Sequence, residues 1–534
     1  MNGIVNAVLN IRELTDRAAP NWNSKGEIMQ ESLWGKTCFS PEYPELNEDI
    51  AVDVVVVGAG ITGITAAYLI KQTGLTVALV DKGTGGSGET HCTTAHLSYV
   101  TDMRLTDLVA TYGRDHAQAA WHAGDAAILQ IDEILRRESI DCDFQWVPGY
   151  LHAAGNGDSK EVSALRIEAV LADELGFSAS FQEMVPLMNR PGVRFADQAQ
   201  FHPLKYLNEL IKKIPGEGSY VFEQTEVHEV SDGLVIKAGK HEIRCGYVVV
   251  ATHVPILGKT GLLKASVFQT KLAGYNSYVL GARLPSETAP AALFWDTATP
   301  YNYLRVASVE EADYVIFGGA DHKTGQNDDT NEPFRNLEQS LREIWPDAQI
   351  ADRWSGQVIE THDGLPYIGE VDPRQFVATG FAGNGMTFGT LGAMMARDAV
   401  TQIVNPWKDL FSRHRTTVSK AWNYLKEGVD YPYYMMRDRL MSAEGRSPET
   451  LHPGQGAILK YNGQKVAAFR DEAGELTMLS PVCTHLGCLV HWNSAETTWD
   501  CPCHGSRFKC TGEVHAGPAE TPLKELDVSA PTRS

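Results

Sequence analysis

The sequence predicts a mixed α/β (α+β) fold in three parts: a nucleotide-binding domain, a mixed sheet built into it, and a small all-β module after both. Three observations predict it. Residues 52–81 read, in order, as strand, glycine turn, helix, strand and terminal acid; residues 271–318 turn to strand and loop rich in aromatics; and five of the nine cysteines crowd with histidines between Cys483 and Cys510.

Val54 to Val57 form a β-branched run suited to a strand buried on both faces, and Gly58-Ala59-Gly60-Ile61-Thr62-Gly63 supplies the turn into a helix. Gly58 permits the reversal, Gly60 lets the backbone approach a pyrophosphate, and Gly63 lets helix and strand pack closely. The helix N–H groups then face the phosphates. Asp81 ends the second strand, where a carboxylate accepts a ribose hydroxyl. Before this unit, residues 1–50 read as an extended arm with one short helix. After it, Lys82 to His96 form a loop of glycines and threonines able to pass close to a cofactor. Residues 101–190 read as helical, and Phe201 to Leu207 as the start of another helix.

Short strands are expected over Tyr220–Val227, Gly233–Ala238 and His241–Ala251, the last returning to the nucleotide sheet. The aromatic strands from Lys271 to Gly318 contain Tyr301, Tyr303 and Arg305, and His322 follows. A strand at Phe376–Thr379 precedes Gly383-Asn384-Gly385-Met386-Thr387, where a helix near Met386 points its positive end at whatever the loop surrounds. A helix is expected from about Trp407 to Glu427, then a linker. Strands at Ala457–Tyr461 and Lys465–Arg470 open the all-β module.

Composition excludes some classes. A net charge of −21 without a basic stripe argues against a nucleic-acid partner. The start of the chain lacks a secretory signal pattern, so a cytoplasmic location is expected. Residues 51–70 are apolar, yet they hold Asp53 and three glycines and are explained as strand, turn and helix, so no membrane span is expected.

The four stretches at 52–81, 82–96, 220–252 and 363–389 together resemble the glycine and D-amino-acid oxidase (DAO) family of FAD-dependent oxidoreductases, over roughly Asp53 to Arg413. The resemblance implies a Rossmann-like domain binding FAD, with Gly58, Gly60, Gly63 and Asp81 on the ADP half and the backbone of Val227 near the adenine. Ser87, Thr90, His91, Cys92, Thr93 and Thr94, with Gly383, Asn384, Gly385, Met386 and Thr387, would frame the isoalloxazine. A mixed sheet would cover the flavin, with Tyr301, Tyr303, Arg305 and His322 lining its substrate side and Arg305 forking onto a carboxylate. Some relatives attach the flavin to a cysteine before the segment matching Thr361–Gly369; no cysteine lies between Cys245 and Cys483, so that bond is excluded. Others use a histidine in the loop holding His91 and Cys92. Non-covalent FAD is the expectation.

Cys483-Thr484-His485-Leu486-Gly487-Cys488 and Cys501-Pro502-Cys503-His504-Gly505-Ser506 resemble the paired boxes of a Rieske [2Fe–2S] protein, over about residues 450–528. Cys483 and Cys501 would hold one iron, His485 and His504 the other, and Cys488 and Cys503 would form a disulfide. Neutral imidazoles in place of two thiolates raise the potential toward about −150 to +300 mV. A zinc site is the rival, disfavoured because both boxes match with their glycines, proline and serine. High-potential relatives place a tyrosine where this chain has Phe508. An oxygenase is disfavoured because its Rieske domain usually comes first.

The expected division is an arm at 1–50; an oxidoreductase at 51–430, with FAD-binding parts about 51–100, 200–260 and 362–405 and substrate parts about 101–199 and 265–361; a linker at 431–450; and the Rieske domain at 451–534. The expected function is oxidation of a small amine or amino-acid substrate at a C–N or C–H bond by hydride transfer to FAD. Electrons then pass singly through the cluster to an unidentified acceptor. The alternative is an electron-transfer component, fed by a donor, without a metabolite substrate.

Overall fold

The computed structural model describes residues 32–155, 157–231, 233–255, 272–285, 289–309, 312–327, 329–415, 448–485 and 487–526. In chain order α1 (Leu33–Thr37), β1 (Ile50–Val57), α2 (Ile61–Lys71), β2 (Val77–Val80), α3 (Glu89–Cys92) and β3 (His96–Leu97) lead into α4 (Leu105–Tyr112) and α5 (Arg114–Glu138). Then follow β4 (Gln145–His152), α6 (Ser159–Glu174), β5 (Ala179–Gln182), β6 (Gly192–Gln200), α7 (Pro203–Ile211), β7 (Tyr220–Phe222), β8 (Val227–Val230), β9 (Val235–Ala238) and β10 (His241–Val250). The central strands are β11 (Leu272–Leu284), β12 (Leu293–Asp296), β13 (Tyr303–Val309), β14 (Ala312–Lys323) and, after α8 (Glu332–Ile344), β15 (Gln349–Thr361). β16 (Tyr367–Asp372), β17 (Gln375–Thr379) and α9 (Gly385–Val400) return to the first sheet.

That first sheet runs β16-β17-β10-β1-β2-β7, with the β8–β9 pair attached to β10. Its central strands are parallel, and Val54 to Val57 are buried between β10 and β2, as an apolar run covered on both faces requires. The second sheet, β15-β11-β14-β13-β12-β4-β6-β3, is antiparallel except where β12 meets β4. α5 packs through Ala117, Ala120, Trp121, Ala127, Ile128, Ile131 and Ile134, a stripe at helical spacing that is fully buried.

The helical reading of 101–190 holds for α4, α5 and α6 but not for β4 and β5, which the second sheet recruits by pairing with β6. Tertiary pairing overrides the local pattern there. No helix starts at Trp407: residues 407–415 form turns, and 416–427 lie outside the described residues, as does most of the expected linker. In the arm, Trp34 is buried and its indole N–H donates to Thr93 O at 2.6 Å, so α1 underlies the loop after Asp81. Among the described residues no helix is long and apolar enough to cross a membrane.

The C-terminal module holds two small sheets. One is β18 (Gly456–Tyr461), β19 (Gln464–Arg470) and β20 (Leu476–Leu479); the other is β21 (His491–Asn493), β22 (Thr498–Asp500), β23 (Arg507–Lys509) and β24 (Val514–Ala516). Phe469, Leu479, Val490, Trp499 and Phe508 fill the core between them.

Candidate functional site

Where β1 ends, Gly58 adopts φ +102°, and a Cβ there would meet Ala251 O at 2.6 Å. A Cβ on Gly63 would collide with Gly58 O, so two of the three glycines are demanded by the turn itself. Gly60 is the N-cap of α2 and offers no side-chain cap to the helix N–H groups. Asp81 accepts N–H bonds from Ala59 at 2.6 Å and Gly83 at 2.7 Å, one on each oxygen, which leaves each oxygen a lone pair for a hydroxyl. Val227 is buried in β8 and pairs with Ala238.

Thr90, in α3, accepts the N–H of Ile61 at 3.2 Å and so ties the loop to the first turn of α2. Ser87 is exposed and donates to Thr84 O at 2.7 Å. The His91 ring lies against Gly35, where a Cβ would overlap it. Thr93 accepts the Ala95 N–H at 3.0 Å, and Thr94 meets His96 Nδ1 at 3.0 Å. Burial, reinforced by Glu89, pushes the Cys92 thiol well up, so it stays protonated.

The second glycine loop arrives from the far side. Asn384 is the N-cap of α9 yet gives no side-chain cap; its amide donates instead to Ser98 O and Val100 O at 3.2 and 3.0 Å. α9 crosses α2 at Gly389, where a Cβ would meet Ile61 and Thr62 at 2.8 Å, so the two helix starts converge. Gly385 and Met386 form the first turn of α9, and Thr387 Oγ1 is buried there without a hydrogen-bond partner. Two open helix N-termini and an orphaned hydroxyl fit FAD, whose phosphates and ring edge supply the missing acceptors.

The structure keeps Tyr301 and Tyr303 together but gives Arg305 and His322 other partners. Tyr301 donates to Asp102 Oδ1 at 3.0 Å, and Gly383 N–H donates to Asp102 Oδ2 at 2.6 Å, which joins this tyrosine to the glycine loop. Tyr303 and Ser277 share a hydrogen bond of 2.7 Å, and the two tyrosine rings lie 5.7 Å apart. Arg305 differs from the expectation. It is 2% exposed, and Nη1 donates to Thr94 O, Ala95 O and Phe201 O at 3.3, 2.8 and 3.0 Å. Nη1 thus props the loop from a buried position, while Nε is buried without a hydrogen-bond partner. Burial lowers its pKa to about 9.

His322 also departs, bonding Tyr278 OH through Nε2 at 2.9 Å and Lys323 O through Nδ1. Its neighbour Asp321 faces the tyrosines instead. Gly319 at φ +140° and Ala320 at φ 55° form an irregularity opposite Asn276–Tyr278 that aims it there. Sequence reasoning missed both Asp102 and Asp321.

In the C-terminal module the two boxes fold alike. Gly487 N–H donates to Cys483 O and Gly505 N–H to Cys501 O, each at 3.0 Å; Cys483 N–H donates to Cys488 O and Cys501 N–H to Ser506 O, each at 2.8 Å. Gly487 and Gly505 take φ +80° and +73°, the left-handed turn each loop needs. The folds bring Cys483 and Cys501 into mutual hydrogen bonding and the His485 and His504 rings to 5.1 Å. Cys488 and Cys503 form the disulfide that links the loops. Desolvation lowers both histidines to about 4, so they are neutral, as ligands must be, and both ring nitrogens of His485 are buried without a hydrogen-bond partner. Two thiols and two neutral imidazoles facing one another fit a [2Fe–2S] cluster.

The cluster loops sit against the flavin-side protein. Gln357 Nε2 donates to Gly505 O at 2.7 Å, and the Gln357 N–H donates to Glu89 Oε2 at 2.7 Å, so one residue of β15 touches both the cluster loop and α3. Gln326 donates to Pro502 O at 3.0 Å. Glu496, from the β21–β22 turn, accepts from Asn276 at 2.6 Å and from Ser355, and pairs with buried Arg507 at 2.5 Å.

Comparison with known proteins agrees with both halves. The FAD dependent oxidoreductase family matches residues 53–399 and the Rieske [2Fe-2S] domain matches residues 446–527. The chain is 32% identical over 507 residues to the Bacillus subtilis (strain 168) protein YhfW, by name a Rieske 2Fe-2S iron-sulfur protein, covering 93% of this chain and 98% of that one. It is 23% identical to the gamma-glutamylputrescine oxidoreductase of Escherichia coli (strain K12), covering 65% of this chain and 82% of that one. Glycine oxidase from Geobacillus kaustophilus shares the fold with a TM-score of 0.58 at 21% identity, covering 68% of this chain and 99% of that one. With the glycine turns, the converging helix starts and the paired Cys-His loops already placed, the chain belongs to the FAD-dependent oxidoreductases of the DAO family and carries, after that region, a Rieske [2Fe–2S] domain.

Proposed function

We propose that this protein oxidises a small amine-type substrate at its flavin and releases the electrons one at a time through the Rieske cluster to an external acceptor. FAD, when bound, takes up two electrons from a C–H bond beside nitrogen, and the cluster passes on one at a time. The observation that carries this reading is the Gln357 joint, because a side chain bonded to the cluster loop and a main chain bonded to α3 make a short covalent and hydrogen-bonded connection between the two halves. The residues assigned from the sequence to FAD and cluster take these roles here, with Arg305 as a prop for the loop rather than a substrate anchor.

The test is anaerobic. On adding a substrate, flavin bleaching should be accompanied by the EPR signal of a reduced cluster in the native protein. In His485→Ala the flavin should still bleach, while the EPR signal and turnover with the acceptor are lost. Failure of every amine and amino acid to bleach the flavin would favour an electron carrier. Loss of flavin along with the cluster would contradict separate cofactor sites.

A further inference from the structure

We infer that the pocket formed by Asp102, Ser277, Tyr301, Tyr303 and Asp321 receives the ammonium group of a cationic amine that has no carboxylate beside its reacting carbon. The inference rests on the oxidoreductase reading above and narrows its substrate.

The geometry comes from three chain segments. Asp102 is accessible to solvent and is fixed by Tyr301 OH at 3.0 Å and Gly383 N–H at 2.6 Å. A Cβ on Gly383 would meet Tyr301 OH at 2.7 Å and Asp102 Oδ1 at 2.9 Å, so the glycine loop closes directly over this pair. Beside it stand the paired hydroxyls of Ser277 and Tyr303, and Asp321, which is hydrogen-bonded to the Ser277 side chain while its Oδ1 is buried without a hydrogen-bond partner. This orphaned oxygen points to a missing donor.

Charge settles the sign of that donor. Among the described residues, the ionisable groups that act on Asp102, Asp321, Tyr301 and Tyr303 are all acidic. Two carboxyls without a counter-ion repel one another, and the protein crowded around them disfavours ionisation of each, although Asp102 keeps an edge open to solvent. Accordingly Asp102 is held up, first by desolvation, and Asp321 is raised to about 7, again by desolvation with Asp102 adding to it. A bound ammonium group relieves both effects and can also lie against the tyrosine rings, whose faces attract cations. A substrate carboxylate finds the reverse. The two candidates to anchor one, Arg305 and His322, are engaged with main-chain carbonyls and with Tyr278.

The experiment uses the holoprotein, its FAD and cluster verified by visible absorbance and EPR, and follows perturbation of the flavin visible band on titration with n-butylamine, 1,4-diaminobutane, glycine and butyrate. The two amines should half-saturate at concentrations at least about ten-fold below glycine and butyrate. Asp102→Asn, which keeps the shape, should weaken the amines by about ten-fold or more while butyrate binds as well or better. Tyr301→Phe, which leaves the carboxylate in place, should change amine affinity less than Asp102→Asn does. Tighter binding of butyrate or glycine than of n-butylamine would overturn the inference, as would equal weakening of amine and butyrate in Asp102→Asn. The outcome is separable from that of the proposed function. A preference for amines with no flavin reduction by any substrate removes the oxidoreductase reading and leaves the cation site, whereas reduction by glycine with the preference reversed does the opposite.

Discussion

Ser506 Oγ accepts the N–H of Ala519 at 3.0 Å, which leaves its hydroxyl proton to donate elsewhere, and the side chain is fully buried beside Cys501. Two residues on, Phe508 is also fully buried, in the core that contains Cys483 and Cys501, and offers no donor. A donor to the cluster stabilises its more negative, reduced form. A hydrogen bond to a charged acceptor contributes about 1.5–3 kcal/mol, and half of that difference between oxidation states is roughly 30–60 mV for one electron. Phe508→Tyr should therefore raise the cluster potential by tens of millivolts and Ser506→Ala should lower it, read by EPR-monitored titration. No rise in the tyrosine variant would refute the missing-donor argument. At this scale the sequence showed the paired Cys-His boxes and was blind to the pocket. Cys483, His485, Cys501 and His504 follow local spacing, whereas Tyr301 and Asp102 meet across 199 residues.

The elements show why the glycine turn is so constrained. β1, the turn and α2 fit only if Gly63 brings the helix against Gly58 O, and Gly389 then lets α9 lie on the same first turn. Gly63→Ala forces the helix outward and should cost about 1–3 kcal/mol as overpacking. The expected result is a lower thermal midpoint and substoichiometric flavin by absorbance, with the cluster EPR signal unchanged, because the module folds around a different core. Full flavin content in this variant would show that α2 can shift without harm. β14 teaches the converse lesson. Strand alternation makes His322 and Asp321 equivalent candidates in sequence, and the irregularity at Gly319–Ala320 decides which one faces the tyrosines.

Across the whole molecule, the C-terminal module is held to the second sheet by a buried acid. Glu496 accepts from Asn276, Asn493 and Ser355 and pairs with Arg507, itself bonded to Asp500. Removing one partner of such a buried network typically costs about 3–5 kcal/mol. Glu496→Ala should loosen the module without touching a cluster ligand. Cluster EPR should persist, while electron transfer from photoreduced flavin to the cluster slows at least several-fold in flash experiments. A double-mutant cycle with Asn276→Ala should give a coupling of about 0.5–3 kcal/mol in thermal or denaturant stability. An unchanged transfer rate in Glu496→Ala would mean that the contacts at Gln357 and Gln326 suffice for docking.

The two cofactors were legible in the sequence because the residues proposed to hold each depend on local chemistry: glycines where the backbone must turn or approach closely, and cysteine and histidine at ligand spacing within single loops. Which side chains meet in the second sheet, and how the module sits, depends on contacts between distant segments. Arg305 and His322 are polar residues in plausible places, but their hydrogen bonds go to carbonyls and to Tyr278 rather than to a substrate. Asp102 with Asp321, and Gln357 with Gly505, meet only after the strands pair and the module docks. The physical reason is range: backbone conformation and ligand spacing are set within a few residues, whereas the charge of a pocket is a sum over segments that the sequence keeps hundreds of residues apart.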